Sequence, residues 1–343
     1  MNEKMLKKPI GMGKVYLILL IALFLVCLIS ACCGHYSLDP ITCLKIMILE
    51  PFGIEGSWSE LDVNVMVGLR LPRIVAAILV GACLAISGAS YQSTFQNPLV
   101  SPDILGVSSG ACVGAAAAIL MHLPNLMIMI MAFVTGILTV AATVAIPKIL
   151  RSESNIMLVL SGIVVGGVTG SIMGIIKYVA DPLSELPQIT YWTMGSLDGL
   201  TFPILAFAAV PITICVIVLI RMSWWIDIIA MGEQDAKTLG ANVKRIRLIT
   251  ILCSTLLTAI SVCMCGTIGW IGLVIPHFAR MFVGANNTRL MPTAALLGAV
   301  FLVGVDTIAR NIGAVEVPLG IITGLVGAPF YAWLLYRQRM SLH

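Results

Sequence analysis

Long apolar segments follow one another along almost the whole 343-residue chain, and they constrain its fold more than any other feature. A helix needs about 20 apolar residues to cross the hydrocarbon core of a bilayer. The candidate spans cover residues 15–34, 74–95, 104–121, 126–146, 156–176, 203–220, 249–265, 271–283, 292–309 and 317–336. Only 10% of the residues are charged, whereas soluble domains carry about 25%. The sequence therefore predicts an all-α polytopic membrane protein with about ten transmembrane helices, forming one domain over residues 1–343.

The distribution of lysine and arginine predicts the orientation of these helices, because cytoplasmic loops carry an excess of both residues. With the N-terminus inside, the inner side holds 15 of the 20 basic residues. We therefore expect both termini in the cytoplasm, with a cytoplasmic segment at 1–14, an outer loop at 35–73 and a charged cytoplasmic loop at 222–248. The net charge of +4 is small and its basic residues are scattered, which does not indicate nucleic-acid binding.

Motifs for covalent or metal chemistry are missing from the sequence. The chain has no GxxxxGK[ST] motif for a nucleotide, and its four histidines are too scattered for a metal site. Most of its ten cysteines lie in apolar runs, where cysteine behaves as a small hydrophobic residue. Residues 29–32 look like a lipoprotein cleavage box, but we interpret them as the end of the first membrane helix. We expect neither an enzyme nor a resident cofactor or metal.

Asp306 is the one ionisable residue that lies near the middle of an apolar segment and would suit an ion-driven transporter. It precedes Arg310 by four residues, so an ion pair at the outer end of a helix is the simpler interpretation. A secondary transporter nevertheless stays open as an alternative. A membrane enzyme or cysteine redox protein is a third, and replacing its cysteines would abolish activity.

Small residues recur every fourth position in three of the predicted helices, which allows close helix packing in lipid. These positions are Gly106, Gly110 and Gly114, then Gly162, Gly166, Gly170 and Gly174, then Gly320 and Gly324. Tight packing inside one bundle explains such ridges. A pore or a subunit seam along the Gly162–Gly174 ridge is the second interpretation.

Two charged segments stand apart from the apolar background. Residues 233–239 have helical spacing, and Gly240 is suited to end that helix in a left-handed cap. Such a helix at the membrane face would dock a soluble partner, or it is only a solvated connector. At the outer side, Arg70 and Arg73 flank Pro72, which we expect to start a helix after an extended segment. These arginines either anchor to lipid phosphates or present donors to carboxylates of an outer partner.

Several long motifs resemble the permease subunits of ATP-binding-cassette importers for iron–siderophores, haem and cobalamin, the FecCD family. They are LRLPRIVAAILVGACLAISGASYQSTFQNPLVSPDILGVSSGA from Leu69, YWTMGSL from Tyr191, GEQDAKTLGANVKR from Gly232, GTIGWIGLVIPHFAR from Gly266, GVDTIAR from Gly304 and EVPLGIITGLVGAPFYAWLL from Glu316. The resemblance extends from about Leu69 to the C-terminus. It implies the type II importer permease fold, in which two inverted halves comprise spans two to five and seven to ten.

The resemblance also implies partners in the prokaryotic cytoplasmic membrane. A second permease copy or a relative would pair with this chain, and two ATPase subunits would bind ATP below it. An extracytoplasmic binding lipoprotein would dock above. The substrate would be an iron chelate, chosen on family frequency alone, with haem, cobalamin or molybdate as alternatives.

The matching motifs imply four sets of functional residues. Binding-protein docking would fall to Arg70, Arg73 and Arg310. ATPase coupling would fall to Glu233, Ala236, Leu239 and Gly240. The cytoplasmic gate would include Asn97 and Leu99 of the QNPLV stretch together with Asn155, where the match to the family is poor. The translocation path would be lined by the glycine ridges of the fifth and tenth spans, Gly162, Gly166, Gly170, Gly174, Gly320 and Gly324.

Overall fold

The chain folds into a bundle of helices, seen in a computed structural model that describes residues 11–34, 36–50, 53–54, 56, 58–151, 155–313 and 315–340. No strand occurs in these ranges. The helices are α1 (Met12–Cys32), α2 (Pro40–Leu49), α3 (Glu60–Val63), α4 (Leu71–Thr94), α5 (Val107–Leu120), α6 (Asn125–Ile149), α7 (Asn155–Val179), α8 (Glu185–Met194), α9 (Phe202–Ala230), α10 (Glu233–Thr238), α11 (Val243–Cys265), α12 (Ile271–Val283), α13 (Asn287–Asn311) and α14 (Leu319–Met340).

Each of the ten predicted spans coincides with one of these helices. Within the described ranges, seven helical stretches are long and apolar enough to cross a bilayer. The other three predicted spans correspond to the shorter apolar stretches Val107–Leu120, Ile271–Val283 and Leu319–Trp333. The all-α, multi-pass architecture is therefore confirmed, with seven full-length candidate spans and three shorter ones.

The segment before Pro72 is helical, so the prediction of an extended stretch there was wrong. A π-helical turn, Asn64–Arg70, joins α3 to α4, and the Leu71 amide donates to the Met66 carbonyl five residues earlier. A π-turn is wider than an α-turn and changes which carbonyl faces the residue that follows. Proline lacks an amide hydrogen and clashes with the carbonyl four residues before it in a regular helix. The wider turn explains how Pro72 continues the helix instead of interrupting it.

The core of the bundle is built around α4, which packs against α13, α11, α12 and α9. Glycines allow the closest of these approaches. A Cβ atom on Gly81 would collide with the backbone carbonyl of Gly298 in α13, and one on Gly88 would collide with Gly272 in α12. Removing side chains at such points lets helix backbones touch, which is how helices associate in lipid.

The predicted halves share one local feature that supports their correspondence. In each half the second span is short, and it follows a residue with positive φ, Gly106 (φ +80°) before α5 and Trp270 (φ +72°) before α12. A positive φ is rare for a residue such as Trp and is typical of turns. Both halves therefore begin their second helix after the same kind of sharp turn.

Candidate functional sites at the two ends of the bundle

At the predicted outer side, the ends of α4 and α13 meet in a buried cluster of charges. Arg73 Nε lies 2.8 Å from Asp306 Oδ1, and Arg310 Nε lies 3.1 Å from Asp306 Oδ2. Arg73 also binds Glu316, with its Nη1 2.8 Å from Oε2. The predicted ion pair between Asp306 and Arg310 is confirmed. Sequence reasoning missed the partnership of Arg73 with Asp306 and Glu316, since more than 230 residues separate them along the chain.

Two of the outer arginines bind the C-terminal end of α1. Arg70 Nη1 donates to the carbonyls of Ala31 at 2.6 Å and Cys32 at 3.3 Å, and Nη2 donates to the Tyr36 carbonyl. Arg310 Nη2 donates to the hydroxyl of Ser30 at 2.6 Å. The last carbonyls of a helix have no partner within the helix itself. These guanidinium groups therefore hold the end of α1 against the core.

The three arginines predicted to meet a binding protein are buried, with 5%, 8% and 6% of Arg70, Arg73 and Arg310 exposed. They line an open cavity of about 340 Å³, whose wall also includes Glu316 and Asp198. The structure thus brings all three to one place, but each already has partners in this chain. Their role in docking stays a prediction, and lipid anchoring by freely exposed guanidinium groups does not fit this burial.

At the opposite, predicted cytoplasmic end, the proposed coupling segment forms the short helix α10. Gly240 ends it as predicted, with φ +79°. The Gly240 amide donates to Lys237 and the Ala241 amide donates to Ala236, both at 3.0 Å, which is the Schellman arrangement. Glu233 is tied to Lys237 at 3.1 Å and to Arg247 of α11 at 3.6 Å.

The predicted coupling residues divide into a buried and an exposed set. Ala236 is fully buried and seats α10 on the bundle, so it offers no surface to another subunit. Leu239 is 59% exposed, and the Glu233 side chain is 41% exposed. Gly240 faces open space. Among the predicted coupling residues, Glu233, Leu239 and the turn at Gly240 are therefore the ones accessible to a partner.

Two of the three predicted gate residues, Asn97 and Leu99, lie in the connection that leaves α4. The Asn97 side chain accepts a hydrogen bond from the Leu99 amide at 2.9 Å, which fixes a tight turn. This turn leaves Leu99 47% exposed. Asn155 is the first residue of α7, and its side chain lies outside the described residues. Leu99 is thus an exposed apolar residue, and its role in a gate stays a prediction.

The glycine ridges divide into packed and open positions. A Cβ on Gly162 would collide with Ile104, and one on Gly320 would lie 2.6 Å from the Met194 carbonyl, so both are packing contacts. Gly324 lies near Trp270, at 3.7 Å from a built Cβ. In contrast, Cβ atoms on Gly166, Gly170 and Gly174 would meet nothing within 4 Å in the described part of the chain. These three share an open face of α7.

Comparison with known proteins gives a consistent result over nearly the whole chain. The sequence profile of the FecCD transport family matches residues 19–337. The molybdate import system permease protein MolB of Haemophilus influenzae is 34% identical over 97% of this chain and 98% of its own length. A probable iron chelatin transport system permease protein of Helicobacter pylori is 39% identical, over 80% of this chain and 83% of its own. The vitamin B12 import system permease protein BtuC of Vibrio cholerae is 37% identical, over 94% of each.

The fold of the chain also matches that of a solved structure. A structure described as an inward-facing conformation of a putative metal-chelate type ABC transporter superimposes with a TM-score of 0.83. It is 34% identical and covers 95% of this chain and 99% of its own. The match therefore extends over almost the whole chain.

Proposed function

The chain belongs to the FecCD transport family and is a permease of an ATP-binding-cassette importer, and from this premise we propose that it carries an iron chelate across the membrane. The main support is the structural match at a TM-score of 0.83 to a putative metal-chelate type transporter. The iron chelatin relative of Helicobacter pylori, 39% identical, points the same way.

Molybdate is the second candidate substrate, because the relative that matches 97% of this chain is a molybdate permease protein. The vitamin B12 relative extends the range to cobalamin. Haem is the remaining candidate substrate. In such an importer the binding protein selects the cargo, while the permease needs only weak affinity so that release is fast.

We propose that two ATPase subunits bind the permease pair at α10. Leu239 supplies an exposed apolar contact, and the Schellman turn at Gly240 fixes the direction in which it projects. Burial of Ala236 joins α10 to the bundle, so a movement of the ATPase moves the ends of α9 and α11. ATP hydrolysis then takes place on the partner and not on this chain.

We propose that the binding protein docks over the outer cavity and that one of its carboxylates takes the place of a carboxylate of this chain. Among the acidic partners of the arginines, Asp306 is 1% exposed at its side chain, whereas Glu316 is 31% exposed. A carboxylate of the binding protein would replace Glu316 on Arg73, because a guanidinium group can donate to two carboxylate oxygens at once. The buried Asp306 would keep Arg73 and Arg310 in place during the exchange.

A second permease copy would cover the open face of α7. Gly166, Gly170 and Gly174 meet nothing in the described part of this chain, and the apolar neighbours Ile163 and Val164 are exposed. A small-residue face suits either close approach by another helix or the wall of a wide path. Both occur if the paired permeases enclose the translocation path between them.

The transport cycle follows from these contacts. The loaded binding protein docks outside, and ATP binding draws the two ATPases together. Movement of α10 then shifts the permease pair between outward-facing and inward-facing states. A partner shifts this equilibrium only by its difference in affinity for the two states. The exposed Leu99 turns would close the inner end of the path in one state and separate in the other.

Gentle purification of the tagged chain tests the assignment. We expect ATPase subunits and a second permease to accompany it, and the reconstituted complex to take up a radiolabelled ferric chelate only with ATP and the binding protein. Parallel uptake of labelled molybdate, haem and cobalamin identifies the cargo. Transport by the isolated chain on an ion gradient, lost in Asp306→Asn, would replace the importer assignment by a secondary transporter.

A further inference from the structure

A second set of polar contacts, at the end of the bundle opposite the outer arginines, joins α9 to α13 and α4. The carboxylate of Asp227, near the end of α9, accepts a hydrogen bond from the backbone amide of Asn287. The backbone nitrogen lies 2.9 Å from Oδ1 and 3.1 Å from Oδ2. The carboxylate also accepts a hydrogen bond from Asn287 Nδ2 at 2.7 Å. Asn287 Oδ1 in turn accepts the Ser93 hydroxyl of α4 at 2.8 Å. Asn287 is 1% exposed, and its partners Asp227 and Ser93 are half-buried.

The same turn of α9 is held a second time. Gln96, just beyond α4, donates from Nε2 to the Ile229 carbonyl at 2.9 Å. Ile226, Ile228 and Ile229 are buried around it. The end of α9, directly before α10, is therefore held at two points. The Asp227 carboxylate binds α13, and the Ile229 carbonyl binds Gln96 at the end of α4.

Capping of α13 does not by itself explain the position of Asp227. Asn286 already caps this helix, because its side chain accepts the Thr288 amide at 3.0 Å. A carboxylate from another helix adds a long-range link, since 60 residues separate Asp227 from Asn287. The Asn287 side chain donates from Nδ2 to α9 and accepts at Oδ1 from α4. Its amide group therefore has only one orientation that satisfies both bonds.

The helices joined by this link also carry the outer charge cluster. Arg73 belongs to α4, and Asp306 and Arg310 belong to α13. Between the two ends, Gly81 and Gly298 bring the two backbones into contact. The α4–α13 pair thus extends as one packed unit from Asn287 at the inner end to Asp306 at the outer end.

We propose that Asp227, Asn287 and Ser93 are positioning residues, which transmit displacement of α10 to the α4–α13 pair. This inference rests on the proposed function, because it assumes that an ATPase moves α10. Asp227 lies six residues before Glu233, the first residue of α10. When α10 moves, the end of α9 moves with it, and the Asp227–Asn287 link requires α13 and α4 to follow. The outer charge cluster then responds to the ATPase through a single packed unit.

The test uses the full complex, reconstituted with its ATPase and binding protein. Asp227→Asn leaves two amides facing each other and should lower transport per ATP hydrolysed by about tenfold, the size of a coupling term carried by one contact. The reciprocal double variant Asp227→Asn with Asn287→Asp restores each donor and acceptor and should recover most of the coupling. Ser93→Ala removes one hydrogen bond and should have a smaller effect in the same direction.

Glu60→Gln, which removes an exposed carboxylate at the other end of the bundle, is the matched control. A purely structural role would lower the melting temperature or the yield of Asp227→Asn while transport per ATP stays at the wild-type value, and that result would overturn the proposal. If Asp227→Asn does not fold, coupling in Ser93→Ala that equals the wild-type value would overturn it as well. Failure of the wild-type complex to show ATP-dependent transport would contradict the proposed function instead, before any variant is compared.

Discussion

Gly81 of α4 and Gly298 of α13 face each other so closely that a Cβ atom on either would collide with the backbone carbonyl of the other. In both helices this contact lies between the Ser93–Asn287 bond and the Arg73–Asp306 ion pair. In a bilayer, apolar surface gains little from burial against other helices, so packing at such close contacts decides which helices associate. The two glycines therefore determine the distance at which both polar clusters form.

Replacing Gly298 by alanine should destabilise the fold, because the added methyl group forces the two backbones apart. We expect a loss of about 1–3 kcal/mol, as for overpacking in other tight contacts. Gly304→Ala is the matched control on the same helix, since its Cβ would meet nothing within 4 Å. Thermal unfolding in detergent compares the two. Equal melting temperatures for both variants would show that α4 and α13 are not in backbone contact at these glycines.

Asp306→Asn should destabilise the fold without making transport independent of ATP. The change leaves Arg73 and Arg310 buried beside a neutral group, and removing one partner of a buried ion pair costs about 3–5 kcal/mol. The remaining contacts of Arg73 with Glu316 and of Arg310 with Ser30 place the loss near the lower end. The measurement is the melting temperature together with ATP-driven uptake per folded complex. Asp181→Asn, in an exposed outer connection, is the control.

The number and position of the apolar helices could be predicted from sequence, because hydropathy is a local property. The eighth span shows this well, since the predicted range 271–283 and the helix α12 agree at both ends. The left-handed cap at Gly240 could also be predicted, because a glycine after a short amphipathic helix is a local signal.

Long-range contacts could not be predicted in the same way. Nothing near Arg73 in the sequence indicates that Asp306 and Glu316 will neutralise it, so the charge pattern alone favoured exposed arginines. The helical path through Pro72 depends on a π-turn, which has no sequence signal of its own. Asp227 falls in the predicted loop 222–248, but α9 continues to Ala230, and only the fold shows that Asn287 is the partner of Asp227.

Removing the charge of Glu316, the more exposed carboxylate that binds Arg73, should strengthen docking of the binding protein. Glu316→Gln leaves one side of the Arg73 guanidinium group without its anionic partner, so an incoming carboxylate no longer competes with it. We expect affinity to rise by about tenfold at low salt, corresponding to one charge-assisted contact. The gain should shrink as salt is raised. Binding-protein affinity is measured for the reconstituted permease, with Glu60→Gln as the control variant. Unchanged or weaker binding to Glu316→Gln would contradict the proposed replacement of Glu316 by a carboxylate of the binding protein.

A photo-crosslinking residue at Leu99 should join the two permeases only when the inner gate is closed. Leu99 is 47% exposed at the tip of a turn, whereas the adjacent Val100 is 1% exposed and serves as the control position. The crosslinked dimer is measured by electrophoresis with and without a non-hydrolysable ATP analogue. Crosslinks that form equally in both conditions, or equally from Val100, would show that Leu99 is not part of a gate.

Gly240→Val should leave the permease folded but release its ATPase. The residue has φ +79°, where a β-branched side chain costs about 1–2 kcal/mol, and its surroundings are open, so the strain is confined to the turn. Relief of that strain would rotate Leu239 away from its partner. Gly240→Asn is the matched control, because asparagine tolerates the left-handed region and should keep the ATPase bound. The measurement is the ratio of ATPase to permease after purification, alongside the melting temperature. If valine retains as much ATPase as asparagine, the turn at Gly240 does not position the coupling contact.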